Sequence, residues 1–468
     1  MKILLWIVSA CLFTVAWAEP VALSPALLTL NQAIRIALEN NRAQQVSQAS
    51  LDMAEAQYRQ AMAAFRPHLG LEAGFQRADQ DRSFAFQGMI TTPAMTLPIG
   101  PGGAPISIPG QPLPMNVNVK LFDRDVGNAA LKMTYPLYTG GKEEALTGMA
   151  KKGVEIARED KRRTELDLVR DINRYYNGAL LAGQLEQLVS DTLERFQVLE
   201  ELTERLYQNA SLKVKKTDYL RSRTTTAMTR SLYREAKYAH ALALEALANT
   251  MGLGLNATPN LAPAPPLPEF NAELETLISR AMQFNPDKQR LELAVQAADY
   301  NIQEARSGFF PMVGLDASAY RYWNNYDGGL INADNNRGWT LGVGLKWDLF
   351  DAGMTRAEVD GARAARMKLG AQRVLLDNGL ALQIKADFLR LQRSRAQVGD
   401  DTQAREFAEE NRKLNVRAYQ EEMVETKDVI EAQIIEALAS SSLLRSEHDL
   451  RDALADLDYR VGAALQQP

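Results

Sequence analysis

The chain has 468 residues, 46% of them apolar, a formal charge of −5 and one cysteine. A mildly acidic balance, with both signs spread along the chain, excludes nucleic acid as the natural partner. The lone Cys11 excludes a disulfide framework, and the three histidines (His68, His240, His448) lack metal-ligand spacing, so neither a cofactor nor an enzyme is expected.

Residues 1–18 predict a secretory signal peptide. Lys2 is the basic start, Ile3 to Val15 the apolar core, and Ala16-Trp17-Ala18 the small-x-small cleavage site. Cys11 lies inside it, and Glu19 stands where a lipoprotein would carry its cysteine. Removing Lys2 with the leader moves the net charge from −5 to −6. No apolar run long enough for a helical span follows, so a membrane crossing would have to use strands.

The remainder reads as one plan written twice. The first repeat, 19–258, predicts an amphipathic helix over 30–65, strands and an extracellular loop over 68–138, and a long helical hairpin over 141–252 with its tip at about 209–216. A linker with five prolines in ten residues, 259–268, follows. The second repeat, 269–468, predicts a helix over 274–310, strands and a loop over 312–350, and a hairpin over 354–465 with its tip at about 421–426. Two gap-free registers carry the repetition. Ala64-Phe65-Arg66-Pro67 meets Gly308-Phe309-Phe310-Pro311 at an offset of 244, and Tyr138-Thr139-Gly140-Gly141 meets Phe350-Asp351-Ala352-Gly353 at 212. No proline falls between Pro136 and Pro259. Leu185, Leu188, Thr192, Phe196, Leu199, Leu202 and Leu206 recur there at the three-and-four spacing of a coiled-coil seam.

The strand segments alternate. Leu69, Leu71, Ala73 and Phe75 interleave with Gly70, Glu72, Gly74 and Gln76, and Trp339, Leu341, Val343, Leu345 and Trp347 with Thr340, Gly342, Gly344 and Lys346. Alternation fits a half-buried soluble sheet as well as a membrane barrel; the export signal and the long helices favour the barrel. Tyr135, Tyr138, Trp339 and Trp347 suit an interfacial aromatic girdle against outer-membrane lipid. Four strands cannot enclose a bore, so copies must share one barrel, and three copies would supply twelve strands. Thr91 to Pro114, with seven prolines and no charge, reads as a passive covering loop. At the helical tips the chemistry is opposite: Lys213, Lys215 and Lys216 in the first, Glu421, Glu422 and Glu425 in the second. If repeats alternate around a ring, the two sets are neighbours.

In this order, and twice over, the motifs resemble the TolC-type outer-membrane efflux channels. The resemblance rests on Leu30-Asn31-Gln32-Ala33 through Asn40-Asn41, Phe65-Arg66-Pro67, Phe309-Phe310-Pro311, the two strand-to-helix junctions above, and Met251-Gly252-Leu253. It implies a mainly α protein with membrane β: a duplicated helix-strand-strand-helix-helix unit, a homotrimer, and a twelve-stranded outer-membrane β-barrel continued by a twelve-helix α-barrel tunnel across the periplasm. Its partners would be a periplasmic adaptor (membrane fusion) protein and an inner-membrane pump, proton-driven (RND) or ATP-driven (ABC). Its role would be a passive exit duct for small molecules, gated at the periplasmic tip. A type I protein-secretion duct and a non-conducting coiled-coil stalk stand as alternatives.

Asp428-Val429-Ile430-Glu431-Ala432 matches the family's acidic-ring motif, so the resemblance makes Asp428 and Glu431 a periplasmic acidic ring. It also makes Tyr419 and Asp218 partners in closing the tip. The chain departs from the pattern at the tip: the usual glycines are absent, and Val424 replaces an arginine that some members use as a lock, which leaves Lys213, Lys215 or Lys216 to substitute for it.

Overall fold

The computed structural model describes residues 27–97, 104, 106–209, 214–254, 257–267, 270–325, 330–332, 334–421 and 423–462. The expected signal peptide, Lys213 and Glu422 lie outside them, as does Pro268 of the linker. Among the described residues the order is α1 (Leu30–Asn40), α2 (Arg42–Ala63), β1 (His68–Arg77), β2 (Arg82–Thr91), β3 (Met95–Leu97), β4 (Ile106–Ile108), β5 (Pro112–Phe122), β6 (Asp125–Tyr138), α3 (Lys142–Gln208) and α4 (Lys216–Thr250). There follow α5 (Leu274–Phe284), α6 (Pro286–Ser307), β7 (Met312–Asn324), β8 (Arg337–Lys346), α7 (Met354–Gln420) and α8 (Thr426–Val461). The helices α3 and α7 have 67 residues each. Each is therefore roughly 100 Å long at about 1.5 Å per residue.

Three expectations are corrected. The helices expected over 30–65 and 274–310 are each broken, at Asn41 and Asn285. Both residues leave the helical region and end one helix while starting the next. The Asn41 carboxamide accepts from the Ala43 N–H at 2.8 Å and donates to the Thr250 carbonyl at 2.7 Å. Asn285 does the same with Asp287 (3.0 Å) and the Arg460 carbonyl (3.0 Å), and Pro286 behind it disfavours the helical conformation. The C-terminal ends of α4 and α8 rest on these breaks. At the second strand pair, β8 stops at Lys346, so Trp347 and Leu349 lie beyond the ladder. Finally, the segment read as a loop, Thr91 to Pro114, contains a short ribbon, β3–β4, and is flanked by a longer one, β2–β5.

The chain divides into two compact units. One comprises residues 1–55, 152–296 and 367–468; the other 56–151 and 297–366. The helical unit holds two apolar knots built alike. In the first, Ala33 and Ala37 of α1 pack against Leu168, Ile172 and Tyr176 of α3 and Leu247 and Met251 at the end of α4. In the second, Leu277 and Ala281 of α5 pack against Leu380 and Ile384 of α7 and Leu457 and Val461 of α8. Fully burying one such side chain stabilises by about 1.5–3 kcal/mol, so these knots anchor the long helices. Each knot is closed by a glycine in the left-handed region. A Cβ on Gly252 (φ 77°) would meet the Asn40 carbonyl oxygen at 2.7 Å, and one on Gly462 (φ 73°) the Phe284 carbonyl oxygen at 2.6 Å. The linker is tied to the first knot. Leu28 pairs with Leu261, and the Tyr176 hydroxyl lies 2.9 Å from the Leu28 carbonyl, with burial pushing its phenol up.

The other unit holds a four-stranded antiparallel sheet in the order β1-β6-β7-β8. Its two edges, β1 and β8, carry no further strand among the described residues.

Candidate functional site

The register sorts the sheet into two faces. Leu71, Leu131, Ala319 and Trp339 fall in line across the four strands, as do Leu69, Met133, Ala317 and Leu341. This face is apolar and exposed, with Trp339 at 76%. On the other face Glu72 pairs with Lys132 at 2.6 Å, and Ser318 with Thr340 at 2.8 Å. Asp316 and the glycines 70, 314, 342 and 344 complete it. An apolar side and a charged, glycine-rich side are what lipid and a watery bore respectively require. Of the aromatics proposed as a girdle, Trp339 lies at the strand end away from the helices. Tyr135, Tyr138 and Trp347 lie at the end where the helices join, where the Trp347 indole N–H donates to the Phe309 carbonyl at 3.1 Å.

The tips are built on a shared device. Asp218 and Asp428 are each the third residue of their helix, and each accepts the backbone N–H three residues earlier, from Lys215 (3.0 Å) and Glu425 (2.9 Å). Negative charge in the first helical turn also meets the positive end of the helix dipole. In this chain Asp218 is thus engaged with its own turn, and the Tyr419 hydroxyl lies 3.1 Å from that of Thr426, so the two are not brought together within one protomer. Lys215, Lys216, Glu421 and Glu425 are exposed, Glu431 is exposed, and Asp428 is half-buried. Lys427 pairs with Glu425 at 3.0 Å, which holds its ammonium above the ordinary lysine range. Val424 packs onto an apolar cluster of Phe196, Leu199, Val429 and Ile430, so the residue standing in the arginine's place seals rather than bonds. The first tip carries a different clamp, a parallel stack of Tyr207 on Tyr219 with centroids 5.7 Å apart.

About ten residues above the tip lies a site that sequence reading missed. Glu436 of α8 is 8% exposed, and both Arg195 of α3 and Arg412 of α7 reach its carboxylate at 2.7 Å. Three helices meet on one buried anion. A signal for it existed: Val429, Ala432, Gln433, Glu436 and Leu443 form one buried stripe of α8, and a carboxylate in such a stripe demands a buried cation. The seam of α3 is likewise shifted, burying Thr203 where Leu202 was expected.

A model of the outer membrane efflux protein family matches residues 33–253 and 277–463. The chain belongs to that family. Membership puts its strands in the outer membrane and its long helices in the periplasm. Among curated relatives, the toluene efflux pump outer membrane protein TtgC of Pseudomonas putida is 26% identical over 337 residues, 71% of this chain and 61% of that one. The chain thus spans about three-fifths of the length of that relative. Among solved structures, the Campylobacter jejuni CmeC outer membrane channel matches with a TM-score of 0.74 at 15% identity, over 94% of this chain and 87% of that one. The Vibrio cholerae outer membrane protein VceC matches with 0.72 at 18% identity, over 93% and 97%. Family and fold agree on a mainly helical channel protein with a membrane sheet. The family is one of efflux ducts rather than of catalysts.

Proposed function

We propose that this chain is the outer-membrane duct of a tripartite efflux system, a passive exit for small molecules expelled by an inner-membrane pump through a periplasmic adaptor. One observation carries this reading: a four-stranded sheet, apolar on one face and charged on the other, with both edges open and two 67-residue helices attached. Unpaired edges are not tolerated in lipid, so three copies joined edge to edge give a closed twelve-stranded barrel and a twelve-helix tunnel. Exposed leucines at seven-residue spacing on α7, Leu375, Leu382 and Leu389 at 71, 69 and 53%, support burial against a neighbouring helix. The matched breaks at Asn41 and Asn285 support descent of the two halves from one duplicated unit, exported by the leader at 1–18.

The gate is the periplasmic tip. Asp428 and Glu431 ring the bore with carboxylates, which favour cations. The lysines 215 and 216 of one tip face the glutamates 421 and 425 of the next, and Asp218 reaches Tyr419 across copies. The test is single-channel recording in planar bilayers. The expected result is a low-conductance, cation-preferring closed state. A Lys213→Ala/Lys215→Ala/Lys216→Ala protein should pass more current, and Asp428→Asn/Glu431→Gln should lose the cation preference. A protein without conductance overturns the duct; unchanged currents in both variants overturn the gate.

A further inference from the structure

The ribbon β2–β5 is the largest feature that the duct leaves unexplained. From Ser83 to Val119 no residue is charged. The register places Phe84, Phe86 and Ile90 of β2 opposite Val119, Val117 and Leu113 of β5, all on one face. The other face is mixed: it carries Ser83, Gln87, Asn116 and Asn118 together with Ala85, Met89 and Pro114. Phe84 and Phe86 are 57% and 50% exposed in the single chain. A two-stranded ribbon is marginal in water by itself and needs its apolar face covered.

Two sources of cover compete, lipid and another copy of the chain. Between the membrane strands and the ribbon sits a charged collar. Arg77 pairs with Asp125 at 3.4 Å, and Lys120 with Asp81 at 2.9 Å and Asp123 at 3.2 Å. The ribbon therefore begins beyond the hydrocarbon boundary, since charges at the midplane cost several kcal/mol and here mark the interface. The ribbon is a separate two-stranded sheet, but its strand β2 follows β1 in the chain after only residues 78–81, and β1 is the open edge at which a second copy joins in the trimeric reading. Reach allows contact: ten residues of β2 extend about 33 Å, while a twelve-stranded barrel with strands about 4.8 Å apart has a backbone radius of roughly 12 Å.

We propose that the ribbons of neighbouring copies pack apolar face to apolar face beyond the outer end of the barrel, forming a neutral cap over its mouth. This rests on the trimeric reading above. The cap is a second constriction of opposite character to the periplasmic tip: it contains no titratable group from 83 to 119 and answers to apolar ligands rather than to salt or pH.

The test uses the full chain in a Cys11→Ser background, in outer membranes. With copper phenanthroline as oxidant, Phe86→Cys on the apolar face should form covalent dimers at least about tenfold faster than Gln87→Cys on the mixed face, because a disulfide needs Cα atoms within about 7 Å. Equal rates, or dimers from Gln87→Cys alone, overturn the proposal. A fluorophore on Phe86→Cys should escape quenching by nitroxide-labelled lipid; strong quenching shows the face lying in lipid and overturns it too. Light scattering separates this from the parent reading. A trimer without Phe86 cross-links loses only the cap, whereas a monomer loses the shared barrel.

Discussion

The two helices that return from the tips, α4 and α8, begin alike and are then held in different ways. Each has an aspartate at its third residue, and each reaches its knot glycine 36 residues after its start, Lys216 to Gly252 and Thr426 to Gly462. The eleventh residue differs: Thr226 in α4, Glu436 in α8. Thr226 is fully buried, and its hydroxyl reaches the Phe196 carbonyl at 3.2 Å, flanked by buried Ser222 and Thr229. Glu436 is clamped by two arginines. Small hydroxyls spread a weak grip over many sites and reform locally. An ionic clamp concentrates the grip on one carboxylate and fails all at once. The difference makes the hold on α8 at this level depend on a single carboxylate.

The largest expected effect breaks that comparison directly. Glu436→Gln leaves the largely buried Arg412 and the partly exposed Arg195 facing a neutral amide, at a cost of about 2–3 kcal/mol once solvent screening of Arg195 is allowed for. Thr226→Val removes one hydroxyl bond and fills the same volume, at a cost of about 1 kcal/mol. Amide hydrogen exchange over 426–440 and over 216–230 reads the two separately. Protection should fall strongly in α8 and slightly in α4; equal losses would remove the distinction. Replacing the whole clamp, Arg195→Met with Glu436→Leu and Arg412→Met, should restore protection, because the cost comes from an uncompensated charge and not from the loss of a bond.

A somewhat smaller effect should be the same in both halves. Gly252→Ala and Gly462→Ala each force a side chain into the left-handed region and against a carbonyl oxygen, so each should cost about 2 kcal/mol or more. Thermal unfolding of the two variants should give matching losses. A marked asymmetry would mean that the knots, alike in packing, do not share the load.

What could be read from the sequence followed physical periodicity. The two faces of the membrane sheet were legible because a period of two survives any register. The long helices were legible because proline, which ends helices, is absent from them. The break at Asn285 had a written signal in Pro286, whereas that at Asn41 depends on reaching Thr250, 209 residues away. The ribbon was hidden by Pro112 and Pro114, which argue against a strand inside a sheet. In a two-stranded ribbon every strand has a free edge, and both prolines sit on the face opposite Phe86. Glu436 had a signal in its stripe, but the partners that clamp it were hidden for a different reason. Its partner Arg195 lies 241 residues away, and nothing local joins them.

The smallest effect tests whether the charge-rich character of α8 extends up the helix. Asp452 lies beside His448, 3.4 Å away, and its place in α4 is taken by an exposed leucine, Leu242. Burial pushes the Asp452 carboxyl above the ordinary aspartate range, with His448 opposing and Asp456 adding to the rise. The sign follows from linkage. A carboxyl raised in the folded state binds its proton more tightly there than when unfolded, so its stabilising share is full below the unfolded value, about 3.9, and is lost as pH climbs through the raised one. At neutral pH the ionised, partly buried group is a burden. Asp452→Asn lifts that burden, so its thermal midpoint should exceed that of the parent at about pH 7 by on the order of 2 °C and converge with it near pH 4. An equal gain at both pH values would assign the effect to packing, and a loss at neutral pH would make the contact with His448 a net support of α8.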